Sequence, residues 1–442
     1  MNKLDRKRID WLITLAPFIS IMLLAGVLFV FPNESNNIIS KVRFFFGDTV
    51  GIYYLVIGLA VLLVSVYLAF SKYGNVVLGE PNEKPKYPFF VWGSMMFTCG
   101  LAADILFYSF AEWVMYATNP HMEELGSVAE WAGVFPLFHW SFIPWAFYLV
   151  LAVVFGFMLH VRKRNRQRYS EACRPVIGKH ADGVLGRVID LFALFALLAG
   201  TATTFSVATP LLAAIIVKLF GITLSRTVVT IIILLVTCAV YTYAVLHGFK
   251  GISFLAKLCI YLFFGLLLIV LLIGGQGKFI IENGFQSFGK MLQHFIELST
   301  FTDPERTSNF PQDWTIYYWA YWMVWCVATP FFIGKISKGR TIKNTILGGY
   351  GWGLAGTFTS FIILGNYGLA QQMKHGIDIS GMIAKSGDYS AVILKIFDTL
   401  PLASLGLLLL VITMIAFYST TFDALTMVVS SYSYKKLDVD EE

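Results

Sequence analysis

Long apolar runs divide this chain, and they limit its possible folds more than any other feature. A hydrocarbon core about 30 Å thick takes about 20 apolar residues to cross as a helix. Ten stretches qualify, near residues 11–31, 49–70, 88–116, 133–160, 184–216, 226–246, 252–274, 314–334, 342–370 and 400–430. Within them the apolar residues are continuous, whereas a membrane β-barrel alternates. Composition agrees: 57% of the 442 residues are hydrophobic and 14% are charged, against about 25% charged in a soluble domain. The sequence predicts an all-α membrane protein of ten spans, several of them long enough to tilt or break.

Charge sets the expected orientation. With the N-terminus inside, about two thirds of the 33 Lys and Arg residues fall in inner tails and loops, as the positive-inside rule requires. The densest inner groups are Arg162, Lys163, Arg164, Arg166 and Arg168, then Lys335, Lys338, Arg340 and Lys343. Topology therefore accounts for the +6 balance without a nucleic-acid partner. The expected setting is the plasma membrane, with both termini cytoplasmic. The first run lacks a small-residue cleavage site and reads as a retained helix, not a signal peptide. Cys99, Cys173, Cys238, Cys259 and Cys326 are scattered without metal-type spacing and read as small apolar packers. In the long outer segment 275–313, Phe285, Phe288, Leu292 and Phe295 recur at helical spacing opposite Gln286, Lys290 and Gln293. That pattern predicts a helix lying along the membrane surface.

Enzyme signatures are missing: no HExxH, no phosphate-binding Gly-rich loop and no Gly-x-Ser-x-Gly elbow occurs. Two aromatic stretches stand out instead. Phe138-His139-Trp140 is followed closely by Pro144-Trp145 and Tyr148, and Trp314 to Trp325 contains seven Trp or Tyr residues, Trp314, Tyr317, Tyr318, Trp319, Tyr321, Trp322 and Trp325. An interfacial belt explains Trp314 and Tyr317. Trp322 and Trp325 lie deeper, and Tyr321 to Trp325 spans about 40° of helix circumference at 100° per residue. Tyr321, Trp322 and Trp325 thus face one direction. Two such clusters on different helices suit a cage for a quaternary ammonium group, each desolvated ring contributing about 1–2 kcal/mol. An ion channel and a membrane-embedded enzyme are the readings from other classes; a channel would show unsaturable flux, an enzyme a product.

The run Trp314-Thr315-Ile316-Tyr317-Tyr318-Trp319-Ala320-Tyr321-Trp322, continuing to Ile336-Ser337-Lys338-Gly339-Arg340-Thr341-Ile342, resembles the betaine/carnitine/choline transporter family. Phe138-His139-Trp140 with Pro144-Trp145 is a second match, and the resemblance covers essentially the whole chain. It implies two peripheral spans followed by two inverted five-helix repeats of the LeuT-like kind, with substrate near the midplane. The implied division is 1–87 for the tail and peripheral spans, 88–274 for the first repeat, 275–313 for the outer connector and 314–442 for the second repeat. The resemblance also implies a quaternary ammonium substrate, choline before glycine betaine or carnitine, bound by Trp140, Trp145, Tyr148, Tyr321, Trp322 and Trp325. Most members have Trp where this chain has Tyr321, whose hydroxyl could reach a substrate oxygen. Members often form trimers.

Sodium-coupled members carry Gly-Met-Gly-Ile-Gly where this chain has Gly100-Leu101-Ala102-Ala103-Asp104. The resemblance makes Leu101 a substrate contact. Loss of two of the three glycines predicts a more regular helix here. Asp104, as in proton-coupled choline transporters, is the expected proton carrier, since an acid inside a span is costly to keep ionised without a partner. Thr420 and Thr421 resemble the sodium-binding hydroxyls of the family, although helix-borne Thr hydroxyls commonly bond back to a preceding carbonyl. Ala208-Thr209-Pro210-Leu211 resembles members that exchange substrates without a driving ion. The coupling order is therefore proton, then sodium, then exchange, with no cofactor and no firmly assigned metal.

Other intramembrane polar residues receive structural expectations. His139 reads as a packing group, Glu112 as closing span 3 near the outer surface, and Asp190 as paired near Arg187. Gly348, Gly349, Gly351, Gly353 and Gly356 suit close helix packing. The tail Tyr434–Glu442 reads as the loop before an eleventh span, so ten of the family's twelve spans are expected here, the sequence being read as truncated.

Overall fold

The computed structural model describes residues 8–101 and 103–437; Ala102, the tail 438–442 and the side chain of Asp423 lie outside the described residues. Eight helices are long and apolar enough to cross a membrane, and two bent helix pairs bring the number of spans to ten. All ten coincide with the apolar runs. Two isolated backbone bridges, Ile9 with Tyr434 and Val77 with Thr341, are the extended pairings among the described residues.

Helices α1 (Trp11–Val30) and α2 (Ile52–Phe70) are peripheral. Only Ile13 and Pro17 of α1 are buried, while Phe29 is 88% and Leu63 69% exposed. Water would not tolerate such surfaces; lipid covers them. The third span is two helices, α3 (Phe89–Gly100) and α4 (Asp104–Ala117). The fourth is α5 (Val134–His139) and α6 (Phe142–Gly156). Then come α7 (Val184–Phe220), α8 (Arg226–Leu246) and α9 (Gly248–Ile273). A connector helix α10 (Gly277–Gln293) precedes the broken eighth span, α11 (Ile316–Val324) and α12 (Thr329–Ile336). The ninth span begins with α13 (Ile342–Ser360), and the tenth is α14 (Ala403–Ser433).

The breaks have local causes. Pro144 has no N–H to give the Trp140 carbonyl four residues earlier, and the helix is interrupted at Trp140–Ser141. Pro330 likewise leaves the Cys326 carbonyl without its donor, and the span turns by 51° between α11 and α12. The third span bends by 58° between α3 and α4, which overturns the expectation of a more regular helix. Leu101 is extended, with φ −121° and ψ 110°. An alanine-containing stretch accepts that conformation as readily as a glycine-rich one, so losing the glycines does not straighten the chain.

The centre of the bundle is α6, packed on α12, α2 and α13, while α14 packs on α9, α8 and α7. Of the glycines in α13, Gly349 meets Leu149 and Gly353 meets the Trp145 indole, where a Cβ would lie 2.4 Å from Cε2; Gly351 faces open space. On α10 the buried residues are Ile280, Gly284, Ser287 and Met291. This corrects the expected stripe: Phe285 is 80% exposed, and Phe295 belongs to the next helix, Phe295–Thr300. The helix turns this face against α5 and the later part of the ninth span, where Gly284 meets Ile362. Lys290 and Gln286 both bind Glu130. Asp190 also departs from expectation. It accepts from the Ser170 N–H and hydroxyl at 2.9 and 2.8 Å, with Arg166 and Arg168 at 3.5 and 3.8 Å, while Arg187 is exposed. The five cysteines are free; Cys99, Cys259 and Cys326 are buried and Cys238 is exposed.

Candidate functional site

The interrupted third and eighth spans meet at their breaks. Thr329, the first residue of α12, donates its hydroxyl to the Cys99 carbonyl at 3.1 Å. Between the breaks lies a cavity lined by Cys99, Gly100, Asp104, Trp140, Tyr148, Tyr321, Trp322, Trp325, Thr329 and Thr421, with a volume of about 20 Å³. That holds about one water molecule, far less than a trimethylammonium group needs.

Seven of the ten residues expected in the site line this cavity, and Trp145 reaches it through a ring contact with Trp322. The Trp322 ring stands 5.3 Å from Trp140, 5.5 Å from Trp145 and 4.9 Å from Tyr148. Such tilted and edge contacts suit the quadrupoles of the rings. Trp145 itself lies behind Trp322, against Gly353 and Gly100; a Cβ on Gly100 would meet its ring at 2.6 Å. Leu101 is also buried behind the cavity, against Gly356. Thr420 and Thr421 both donate to the Phe417 carbonyl at 2.9 Å, and only Thr421 lines the cavity. The Trp322 indole N–H is buried and has no hydrogen-bond partner among the described residues.

Asp104 is the first residue of α4, where the helix dipole favours a negative charge. The Tyr321 hydroxyl donates to Asp104 Oδ2, and Thr204 of α7 approaches the same oxygen at 3.4 Å. The phenol is therefore engaged by Asp104 and not free for a substrate oxygen, which corrects the role expected of Tyr321. Asp104 and Tyr321, the two positions that the resemblance singled out, touch each other. No Lys, Arg or His pairs with Asp104 among the described residues.

A second carboxylate was missed by sequence reasoning. Glu112 is fully buried, with partners that the sequence did not reveal. Its Oε2 accepts from Trp140 Nε1 at 2.8 Å and its Oε1 from the Tyr116 hydroxyl at 2.5 Å. Tyr116 lies 2.7 Å from His139 Nδ1, and His139 Nε2 lies 3.0 Å from the Thr315 hydroxyl. A hydroxyl that donates to Glu112 must accept from His139, which puts the ring proton on Nδ1 and leaves Nε2 to accept from Thr315. Every donor in this chain points toward Glu112, which fixes the Trp140 ring beside the cavity. The sequence carried a signal: Asp104, Tyr108, Glu112 and Tyr116 recur every four residues, one face of α4. Replacing Glu112 by alanine leaves the Trp140 N–H buried without an acceptor, at about 1–3 kcal/mol. The expected result is a rise of about ten-fold in the KM for substrate uptake with little change in maximal rate. Glu112→Gln, which keeps an acceptor, should recover most of it. An unaltered KM in the alanine variant would show that Glu112 does not hold the ring.

A wider recess of about 900 Å³ opens on the side of the Arg43–Asp313 ion pair, lined by Phe107, Trp314, Tyr317, Tyr318 and Tyr389. Tyr108 and Tyr317, each 6.0 Å from Tyr321, separate recess from cavity. No group of three or more His, Cys, Asp or Glu residues suited to a metal ion occurs among the described residues.

Irregular backbone inside spanning helices is tolerated where it lines a cavity, and helices broken around a shared buried site define a membrane carrier. The sequence matches the betaine/carnitine/choline family transporter (BCCT) over residues 12–441. The chain belongs to that family of transporters. It is 28% identical over 404 residues to the glycine betaine transporter OpuD of Bacillus subtilis, covering 90% of this chain and 77% of the relative. It is 29% identical over 385 residues to the osmo-independent choline transporter BetT1 of Acinetobacter baylyi, covering 85% and 72%.

Proposed function

We propose that the chain imports a quaternary ammonium compound by alternating access, with choline as the first substrate and glycine betaine or carnitine behind it, and with a proton as the coupling ion. The observation that carries this reading is one cavity holding both aromatic faces and a single carboxylate, Asp104, without a basic partner among the described residues. Rings answer the trimethylammonium group, which cannot donate hydrogen bonds. The unpartnered Trp322 N–H supplies a donor for the substrate's oxygen. An Asp104 that carries the proton is uncharged beside the substrate, so the preference for choline rests on the resemblance of Gly100–Asp104 to proton-coupled choline transporters. The named activities of OpuD and BetT1 fall in the same substrate class.

In the proposed cycle the Tyr108–Tyr317 layer opens toward the recess, substrate spreads Trp140, Tyr148 and Trp322, and Asp104 carries a proton with the substrate. Spans 3–7 act as one repeat and the part from residue 314 as the other, with residues 1–87 peripheral and 275–313 connecting them. Both termini face the cytoplasm in this reading, as the Lys/Arg distribution requires.

The test is uptake of labelled choline, glycine betaine and carnitine by proteoliposomes under imposed proton or sodium gradients. Choline should accumulate saturably under the proton gradient alone. Accumulation that needs sodium would transfer coupling to the Thr420–Thr421 region, and gradient-free exchange would remove the driving ion altogether.

A further inference from the structure

Two cavities away from the central site adjoin each other. One, of about 540 Å³, is an apolar groove between the end of α2 and the end of α6, with Leu68, Val76, Val153, Val154, Met158 and Ile342 in its walls. Arg162, Arg164 and Arg174 stand at its rim. The other, of about 440 Å³, is net basic: five arginines and two lysines line it against Asp10, Glu171 and Asp182. Arg164, Glu171 and Arg174 belong to both. Apolar groove and cationic pocket are therefore one continuous surface, placed where the fourth span ends at Val161.

Internal acids answer only part of this charge. Arg174 is held by Glu171 and Asp182, and together with Arg166 it keeps the Asp182 carboxyl down at about 2. Arg164 reaches Glu171 only at 3.6 Å. Arg162 lies over the Phe157 ring, and neither it nor Arg187 has a carboxylate within ion-pair distance among the described residues. Arg168, 2% exposed, pairs with Asp10 at 3.0 Å, and only its Nε is left buried with no hydrogen-bond partner. Backbone bonds from Lys435 to Arg8 and from Leu437 to Asn165 bring both chain ends to the rim of this pocket.

We infer that this composite surface binds an anionic phospholipid, one acyl chain lying in the groove and the phosphodiester among Arg162, Arg164 and the arginines of the basic pocket. A free phosphate would make no use of the apolar wall, and a zwitterionic lipid would gain little from the cations. Cationic residues beside a membrane contribute attraction to anionic headgroups individually, and arginine binds phosphate oxygens in bidentate fashion.

Native mass spectrometry of the full chain in detergent, titrated with dioleoylphosphatidylglycerol or dioleoylphosphatidylcholine, tests this. The anionic lipid should bind at least about ten-fold more tightly. Arg162→Ala with Arg164→Ala should weaken it by about thirty-fold, and the corresponding pair of lysines should keep most of the binding. Val154→Trp, which fills the groove and leaves the charges alone, should weaken the same adduct. Inorganic phosphate should not displace it, and deletion of residues 438–442 should leave it unchanged. Equal affinity for the two lipids, displacement by phosphate alone, indifference to both sets of variants, or binding that arises only once the acidic tail is removed would each overturn the inference.

Discussion

Trp322→Leu should abolish saturable choline uptake in proteoliposomes. The indole is the hub of the cavity, touching Trp140, Trp145 and Tyr148 at once. Leucine removes the π-face that a trimethylammonium group would meet, together with a buried indole N–H that has no hydrogen-bond partner among the described residues. Loss of one desolvated cation–π contact of about 2 kcal/mol corresponds to about thirty-fold in affinity, before any disorder of the three rings that lose their neighbour. Trp322→Phe separates chemistry from packing: it keeps a π-face and should retain measurable uptake at a raised KM. Unchanged uptake in the leucine variant would remove the aromatic cavity from the transport pathway.

Asp104→Asn should uncouple the carrier. The amide oxygen can still accept from Tyr321 and Thr204, so the cavity keeps its shape while losing the one group there able to exchange a proton. Accumulation under an imposed proton gradient should fall at least about ten-fold, whereas exchange of internal for external choline should persist, because it needs only binding and reorientation. Gradient-driven accumulation that survives the substitution would show that the proton travels elsewhere. The Glu112–His139 chain would be the next group to examine, being the other buried carboxylate against a cavity ring.

Much of the architecture was legible because a bilayer asks so little of a sequence. Apolar run length alone located ten spans, and the aromatic density of the fourth and eighth located the walls of the cavity. The remainder depended on partners that a linear reading does not supply. Whether Glu112 ends a helix or anchors an indole is decided by where α5 presents Trp140. Trp145 and Leu101 belong to the same motifs as their neighbours, yet close packing against Gly353 and Gly356 sets them behind the cavity. The connector α10 failed the periodicity reading because hydrophobic residues next to a membrane need not face the protein: Phe285 is exposed, and Ile280, Gly284, Ser287 and Met291 take the contact. The third span misled for a different reason. Glycine is needed where φ is positive, and the break at Leu101 uses ordinary extended geometry.

The narrowness of the cavity bears on leakage. A cavity with the volume of about one water molecule, walled by rings and bordered by Tyr108 and Tyr317, has no room among the described residues for a file of water along which protons could hop. On the proposed route, a solute would have to part the rings before it could pass. The same crowding would then serve as the seal when no solute is bound.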